Sequence, residues 1–136
     1  MKNKLYYLIF ITFILIIGIT YILFNHFFPL AKPIDCPEDD AINSHTVLYD
    51  NRLITSSDLS FESIFTHIKT AKPTRKITVN DFPTIYPYFE VNVYTNSQAF
   101  KYFIYQEDNT TYLEMPYYGV YVLHNDVFEL LNSLKP

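Results

Sequence analysis

An uninterrupted apolar run from Leu5 to Phe28 constrains this chain more than any other feature of the sequence. No Lys, Arg, Asp or Glu lies between Lys4 and Lys32. Because a helix rises about 1.5 Å per residue, a run of this length reaches about 36 Å, which is enough to cross the hydrocarbon core of a bilayer. The sequence therefore predicts a single transmembrane helix over residues 5–28.

The charges on either side of this helix predict its orientation. Lys2 and Lys4 lie in the tail that precedes the helix, whereas a cluster of acidic residues follows Lys32. Basic residues are retained preferentially on the cytoplasmic side of a membrane. We therefore expect a single-pass protein of the cell membrane, with residues 1–4 in the cytoplasm and the C-terminal domain outside.

A cleaved signal peptide is the alternative interpretation of the same run. Such a peptide has an apolar region of about 7–15 residues that ends at a small-x-small cleavage site. The run here is longer, and Pro29, Leu30 and Ala31 fit that site poorly. An uncleaved signal anchor is therefore the preferred interpretation.

The single cysteine, Cys36, excludes an internal disulfide bond. The residues before it do not form the small apolar motif of a lipoprotein. An inert thiol beside the membrane, a disulfide-linked dimer and a lipid attachment remain open for it.

The charge of the part after Ala31 excludes some partners. It holds 8 Lys and Arg against 14 Asp and Glu, a formal net charge of −6. A nucleic-acid backbone requires a basic surface, so we expect no nucleic-acid partner. The same charge disfavours a domain that lies flat on anionic lipid. The bilayer is thus expected as a partner of the helix alone.

The chain beyond the helix divides into a linker and a domain. Three prolines and an acidic cluster predict an unstructured linker over residues 29–43. Residues 44–136 then form the domain. Its first part reads as a hairpin over 45–55 with a turn at Asp50 and Asn51. A helix follows over 56–70, with a cap at Ser57 or Asp58 and one apolar stripe.

Residues 85–124 predict the main sheet. Apolar and polar residues alternate with period two, and polar turns recur about every ten residues, which is typical of an antiparallel meander. A tight turn is predicted over residues 116–119, which read Pro-Tyr-Tyr-Gly. A closing helix follows over 125–134, with Asp126 and Glu129 as a capping box. The predicted fold class is α+β, with an antiparallel sheet of four to six strands and helices on one face.

Two segments resemble a known family. Residues 79–83 read Val-Asn-Asp-Phe-Pro, and residues 112–121 read Tyr-Leu-Glu-Met-Pro-Tyr-Tyr-Gly-Val-Tyr. They are similar to segments of a small extracytoplasmic domain family of unknown function, found in Gram-positive membrane-anchored proteins and lipoproteins. The resemblance covers roughly residues 45–134. It implies a fold and a location, and it implies no catalytic residues.

The residues that usually carry catalysis are scattered in this sequence. Isolated histidines and a single cysteine predict neither a metal site nor a catalytic thiol, and one glycine outside the helix predicts no phosphate-binding loop. Glu90 and Glu114 are expected to be solvated or paired across strands. We therefore predict a non-enzymatic protein without a cofactor.

The only basic cluster of the outer part has two interpretations. It is either a solvated loop that follows a helix or a small docking patch for an acidic partner or a lipid headgroup. The cluster comprises Lys69, Lys72, Arg75 and Lys76.

Tyrosine is the most informative residue type in the domain. Nine of the 13 tyrosines lie between Tyr86 and Tyr121. They serve either cross-strand packing or a protein-binding face, because tyrosine gives a large contact area at a low entropic cost. Our candidate partner-binding residues are Glu114, Tyr117 and Tyr118, expected together at an exposed turn.

These features favour an extracytoplasmic module that binds a protein or a peptide, such as an immunity protein, an inhibitor or an accessory subunit of a sensor. The alternative is a small subunit of a membrane complex that assembles through its transmembrane helix. A cell-envelope enzyme is the third and weakest hypothesis.

Overall fold

The structure, a computed structural model, describes residues 2–54, 61–78 and 80–134. It divides into two compact units, Met1–Leu30 and Ala31–Pro136. The first unit is a single helix and the second is an α+β domain.

Helix α1 spans Lys2–Phe27. Its stretch Lys4–Phe27 has a mean hydropathy of 2.6, and no part of it is buried. Within the described residues it is the one helix that is long and apolar enough to cross a membrane. The predicted N-terminal apolar helix is therefore confirmed. Because it is apolar all round, it has no polar face to turn towards water.

The second unit is built on one seven-stranded antiparallel sheet with the strand order β2-β1-β4-β5-β6-β7-β3. The strands are β1 (Ile42–Tyr49), β2 (Arg52–Leu53), β3 (Lys72–Pro73), β4 (Tyr88–Thr95), β5 (Ala99–Glu107), β6 (Thr110–Met115) and β7 (Gly119–Val122). Two helices accompany them, α2 (Phe61–Lys69) and α3 (Asn125–Ser133). The α+β fold class is confirmed. The sheet exceeds the predicted size by one strand, because a strand as short as β3 leaves no pattern in the sequence.

One face of the sheet, here called the helix face, carries the apolar core. Val91 of β4 lies opposite Tyr102 of β5, and Ile104 lies opposite both Phe89 and Leu113. All five side chains are fully buried. The period-two alternation seen in the sequence thus places one apolar residue in every two on this face.

Both short helices pack on the helix face. Helix α2 buries Ile64, Phe65 and Ile68, the stripe that the sequence predicts. In helix α3, the ring of Phe128 meets the ring of Phe89 edge-on, with 5.7 Å between their centroids. The caps predicted for the first helix lie outside the described residues.

Helix α3 does not begin with the predicted capping box. His124 is its N-cap residue and makes no capping bond with its side chain. Instead, the Asn125 side chain accepts a bond from the Thr111 N–H at 3.1 Å and donates one to the Asn109 carbonyl at 3.2 Å. The prediction missed this arrangement because both bonds reach a hairpin distant in sequence.

The hairpin predicted over 45–55 is confirmed. Strands β1 and β2 pair antiparallel on either side of Asp50 and Asn51. Both turn residues have positive φ, 50° and 59°, the conformation that two-residue hairpin loops favour and that Asp and Asn tolerate.

Residues 31–41 differ from the predicted linker, because they belong to the compact unit of the domain. The hydroxyl of Tyr121 donates to the Lys32 carbonyl, and that of Tyr102 donates to the Asp35 carbonyl, both at 2.8 Å. The prolines keep residues 31–37 out of a helix, as expected, and a short 3-10 helix, Asp39–Ala41, follows them. They also leave extended backbone whose carbonyls accept bonds from tyrosines of the sheet.

Gly119 allows this N-terminal segment to approach the sheet closely. A Cβ atom added at Gly119 would lie 2.4 Å from the Cβ of Ala31. Such a distance is far below van der Waals contact, so only glycine fits beside Ala31.

The opposite face of the sheet, here called the second face, is covered by residues 74–87, the crossing segment. Phe82 of this segment contacts Phe103 of β5, with 5.7 Å between ring centroids, and Thr78 bonds to Glu114 of β6. Its described residues, 74–78 and 80–87, form no helix and join β3 to β4. The second face is therefore closed by irregular chain, which brings polar groups into contact with the sheet.

Candidate functional site

The turn between β6 and β7 holds a tyrosine in an unusual backbone conformation. The Tyr118 N–H donates to the Met115 carbonyl at 3.0 Å, and Pro116 and Tyr117 occupy the two central positions. Tyr117 has a φ of 64°. A turn of this kind normally places Gly or Asn at its second central position, because a side chain is disfavoured there. The tight turn predicted over residues 116–119 is present one residue earlier, over 115–118, and the residue in the left-handed conformation is Tyr117 and not Gly119.

The two tyrosines of the turn are accessible. Tyr117 is 66% exposed and Tyr118 is 44% exposed. The Tyr117 hydroxyl donates to the carboxylate of Asp81 in the crossing segment, and this bond raises the pKa of Tyr117. A bulky aromatic side chain is thus displayed at the surface and fixed at its tip.

Glu114 does not join these tyrosines at the surface, contrary to our prediction. It is 6% exposed and accepts a hydrogen bond from the hydroxyl of Thr78. The alternation of β6 places Glu114 on the second face, which the sequence suggested was open to solvent. The crossing segment covers that face, so the carboxylate is buried.

The Tyr105 hydroxyl lies beside the same carboxylate. Burial raises the pKa of Tyr105 well above its ordinary value, and the charges of Glu114 and Glu107 raise it further. The Tyr105 hydroxyl therefore remains neutral beside the carboxylate of Glu114.

A polar cavity of about 330 Å³ opens at this point between the crossing segment and the second face. Its volume is many times the ~30 Å³ that one water molecule occupies in the liquid. We call it the Glu114 pocket. Its lining residues are Lys76, Ile77, Thr78, Asn80, Thr84, Ile85, Tyr105, Glu107, Glu114 and Val120.

The cation of the Glu114 pocket is already committed to other partners. Lys76 forms an ion pair with Glu107, and its ammonium group lies 3.9 Å from the centre of the Tyr112 ring. Glu114, in contrast, takes part in none of the ion pairs found among the described residues. The pocket thus holds two carboxylates and one ammonium group.

Glu90 and Glu114 do not lie on adjacent strands. Both lie opposite Phe103, on the two strands that flank it, so the Phe103 position separates them. Glu90 pairs with Lys101 at 3.0 Å, the cross-strand pairing that the sequence predicts. The two carboxylates therefore act in separate environments.

The tyrosines of the domain divide between packing and display. Tyr102 and Tyr121 are fully buried on the helix face, where burial raises the pKa of each. Tyr94 joins Tyr117 and Tyr118 among the exposed side chains. Sequence reasoning allowed both packed and exposed tyrosines. In the structure the fully buried tyrosines named here lie on β5 and β7, and the exposed ones lie on β4 and in the turn between β6 and β7.

Cys36 packs against the core beside Tyr102, whose hydroxyl lies 3.7 Å from the sulfur atom. Burial raises the pKa of this thiol. Because the thiolate is the reactive form, the environment of Cys36 lowers its reactivity.

The basic cluster predicted from the sequence is partly neutralised. Lys69 pairs with Asp39, and Lys76 pairs with Glu107. Lys69 and Lys76 therefore serve contacts within the domain.

Two histidines that are distant in sequence meet at the edge of the helix face. The rings of His67 and His124 stack with 6.1 Å between their centroids, and His124 contacts Asp126 at 3.0 Å. Over the described ranges, no group of three His, Cys, Asp or Glu residues is arranged to hold a metal ion.

The domain matches a family model described as "Domain of unknown function (DUF5300)" over residues 31–122. The chain belongs to this family. The match begins at Ala31, where the compact unit of the domain also begins. The predicted membership of a family of unknown function is confirmed, and membership assigns no activity.

A solved structure supports the fold. The chain is similar to a protein from Ruminococcus gnavus determined by NMR, with 26% sequence identity and a TM-score of 0.54. The similarity covers 69% of this chain and 97% of that one. None of the curated proteins matches the chain significantly.

Sequence reasoning missed the Glu114 pocket entirely. The crossing segment shows neither helical nor strand periodicity, so its position over the sheet could not be predicted. One signal was present: Phe103 and Tyr105 lie on the nominally polar side of β5. Two large aromatic side chains on the same side of one strand indicate that another part of the chain covers that side.

Proposed function

We propose that this chain is a membrane-anchored extracytoplasmic module that binds a protein or a peptide through the exposed turn between β6 and β7. The supporting observation is Tyr117, an exposed aromatic residue held at positive φ. Residues in a strained backbone conformation persist at functional sites because the surrounding structure holds them in place. A role in packing does not account for a side chain that is two-thirds exposed.

The chemistry of the turn suits recognition. Tyr117 and Tyr118 are adjacent, and aromatic residues of this kind dominate the energetics of protein interfaces. The bond from Tyr117 to Asp81 restricts the ring before any partner arrives. A partner would therefore lose less side-chain entropy on binding than with a free tyrosine.

The location belongs to the same proposal. The length of α1, its apolar character and the lysines at its N-terminal end, Lys2 and Lys4, support an uncleaved anchor in the cell membrane, with the domain outside. The resemblance to domains of Gram-positive membrane-anchored proteins agrees with that placement. An immunity protein, an inhibitor or a sensor accessory subunit would all use such an arrangement, and none requires catalysis.

The decisive experiment is quantitative chemical crosslinking on intact cells that produce the full-length protein. A double variant, Tyr117→Ala with Tyr118→Ala, is compared with the wild type. Tyr94→Ala is the matched control, because it removes another exposed tyrosine of the same domain. We expect the double variant to lose the crosslinked partner and the control to keep it.

Equal capture by all three proteins would refute the role of the turn. Replacing α1 with an unrelated membrane span then tests assembly through the helix, the alternative function. A binding module keeps its partner after this exchange, whereas a subunit assembled through its helix loses it.

A further inference from the structure

We propose that the Glu114 pocket binds a primary ammonium group, supplied by a lysine side chain or by a small amine. This inference goes beyond the proposed function of the tyrosine turn, and it rests on different residues.

The negative charge of Glu114 lacks a counter-charge of its own among the described residues of the pocket. Glu114 is buried, and within the described part of the chain it has no cationic partner. A buried carboxylate is costly unless hydrogen bonds and a counter-charge stabilise it. The one ammonium group in the pocket, on Lys76, is paired with Glu107 and lies over the Tyr112 ring. A ligand that brings a positive charge would complete the site.

The carboxylate of Glu114 can accept further hydrogen bonds. A carboxylate can accept about four hydrogen bonds. Glu114 receives one from Thr78, and the Tyr105 hydroxyl lies beside it. Acceptor capacity therefore remains on the carboxylate, and Asn80 and Thr84, two residues whose side chains carry an oxygen acceptor, line the same cavity. An ammonium group has three donors that can be directed at such separate acceptors.

The carboxylate of Glu114 suits an ammonium group better than a guanidinium group. A guanidinium group binds best when both oxygens of one carboxylate accept parallel bonds. At Glu114, the Thr78 hydroxyl already donates to Oε1 and the Tyr105 hydroxyl lies beside the carboxylate, so fewer acceptor positions remain for two parallel bonds. The compact ammonium group has no such requirement and fits a carboxylate that is partly engaged.

A ligand can reach the Glu114 pocket from the solvent. The cavity of about 330 Å³ is open, and Asn80 and Thr84 on its rim are exposed. The formal charge of −6 on the chain beyond Ala31 also attracts cations towards the domain.

Titration calorimetry on the full-length protein in neutral detergent micelles at low salt tests this inference. The probes are butylammonium chloride and Nα-acetyl-lysine methylamide, with Nα-acetyl-arginine methylamide for comparison. We expect both ammonium probes to bind and the arginine probe to bind more weakly. Butylammonium binding would identify the amine alone as sufficient, and binding of the lysine probe alone would identify a peptide side chain as the source.

The key variant is Glu114→Gln, which keeps the shape and one carbonyl oxygen but removes the charge. We expect it to weaken the binding of the ammonium probes about tenfold, the usual effect of a lost charge-assisted bond. Glu129→Gln is the matched control, because it removes an equal charge from an exposed position on α3. We expect it to change binding less than twofold.

Thr84→Phe provides a second test should Glu114→Gln fold poorly. The larger side chain occupies the rim and leaves Glu114 and its partners in place, so we expect binding to fall. Absence of ammonium binding, equal losses in the two Gln variants, tighter binding of the arginine probe, or full binding by Thr84→Phe would each overturn the inference. Loss of ammonium binding with partner crosslinking intact would leave the proposed function of the turn standing.

Discussion

The two faces of the sheet are closed in different ways. The helix face is covered by α2, α3 and the extended residues 31–37, and its interior is almost entirely apolar. The second face is covered by the crossing segment, and it encloses a carboxylate, hydroxyl groups and a cavity. The contrast indicates that the apolar helix face contributes most of the stability of the fold, whereas the second face supplies the polar groups of the Glu114 pocket.

The largest effect is expected from truncation on the helix face. Leu113→Ala removes a fully buried side chain, so we expect the free energy of unfolding to fall by about 2–5 kcal/mol. Urea denaturation of the full-length protein in detergent measures this change. Ile77→Ala, at an exposed position of the crossing segment, should stay within about 0.5 kcal/mol of the wild type. Similar losses at both positions would remove the contrast between the faces.

A second prediction concerns the close approach on the helix face. Gly119→Ala places a methyl group 2.4 Å from the Ala31 Cβ, so we expect a loss of about 1–3 kcal/mol from overpacking. Ala31→Gly in the same chain removes the clash between the two methyl groups and should restore part of that stability, because the positive φ of Gly119 still disfavours a side chain. A double-mutant cycle measures the coupling, and additive effects would contradict the contact.

A third prediction probes the buried carboxylate of the second face. Thr78→Val deletes the hydroxyl that bonds to Glu114 and should destabilise the domain by about 1–2 kcal/mol, because a buried acceptor loses its partner. Thr78→Ser keeps the hydroxyl and is the control. Indistinguishable unfolding midpoints for the two variants would show that this bond contributes nothing.

A fourth prediction separates stability from binding at the turn. Tyr117→Asn substitutes a residue that tolerates positive φ, so we expect a midpoint of thermal unfolding equal to or above that of the wild type. The same variant should lose its crosslinked partner. A large drop in the midpoint would show that Tyr117 serves the fold instead.

The smallest effect concerns pH. Asp50 accepts a hydrogen bond from Tyr86 and raises the pKa of that hydroxyl to about 12. The neutral form is favoured in the folded state, so its contribution to stability is complete below about pH 10 and is lost as the pH rises towards 12. Absorbance titration of the wild type and of Tyr86→Phe isolates this step. A difference curve with an ordinary midpoint near 10 would disprove the contact.

The contrast between the faces also explains what the sequence could reveal. Alternation in β4, β5 and β6 predicted strands that the structure confirms, because each strand has one apolar side. The turn at Pro116 was equally readable from local chemistry. Glu114 was misplaced for the same reason: alternation identifies the side of a strand but not what covers it. The cover is the crossing segment, whose contacts with the sheet span more than 20 residues and follow no period.

Strand β3 has a consequence for the association of neighbouring copies of the domain. It ends one side of the sheet with only Lys72 and Pro73. Proline offers no N–H to a further strand, and lysine adds charge that resists close approach by another copy. Molecules tethered in a plane meet one another far more often than molecules in solution. If the chain is anchored as proposed above, this edge of Lys72 and Pro73 would disfavour edge-to-edge pairing between its copies.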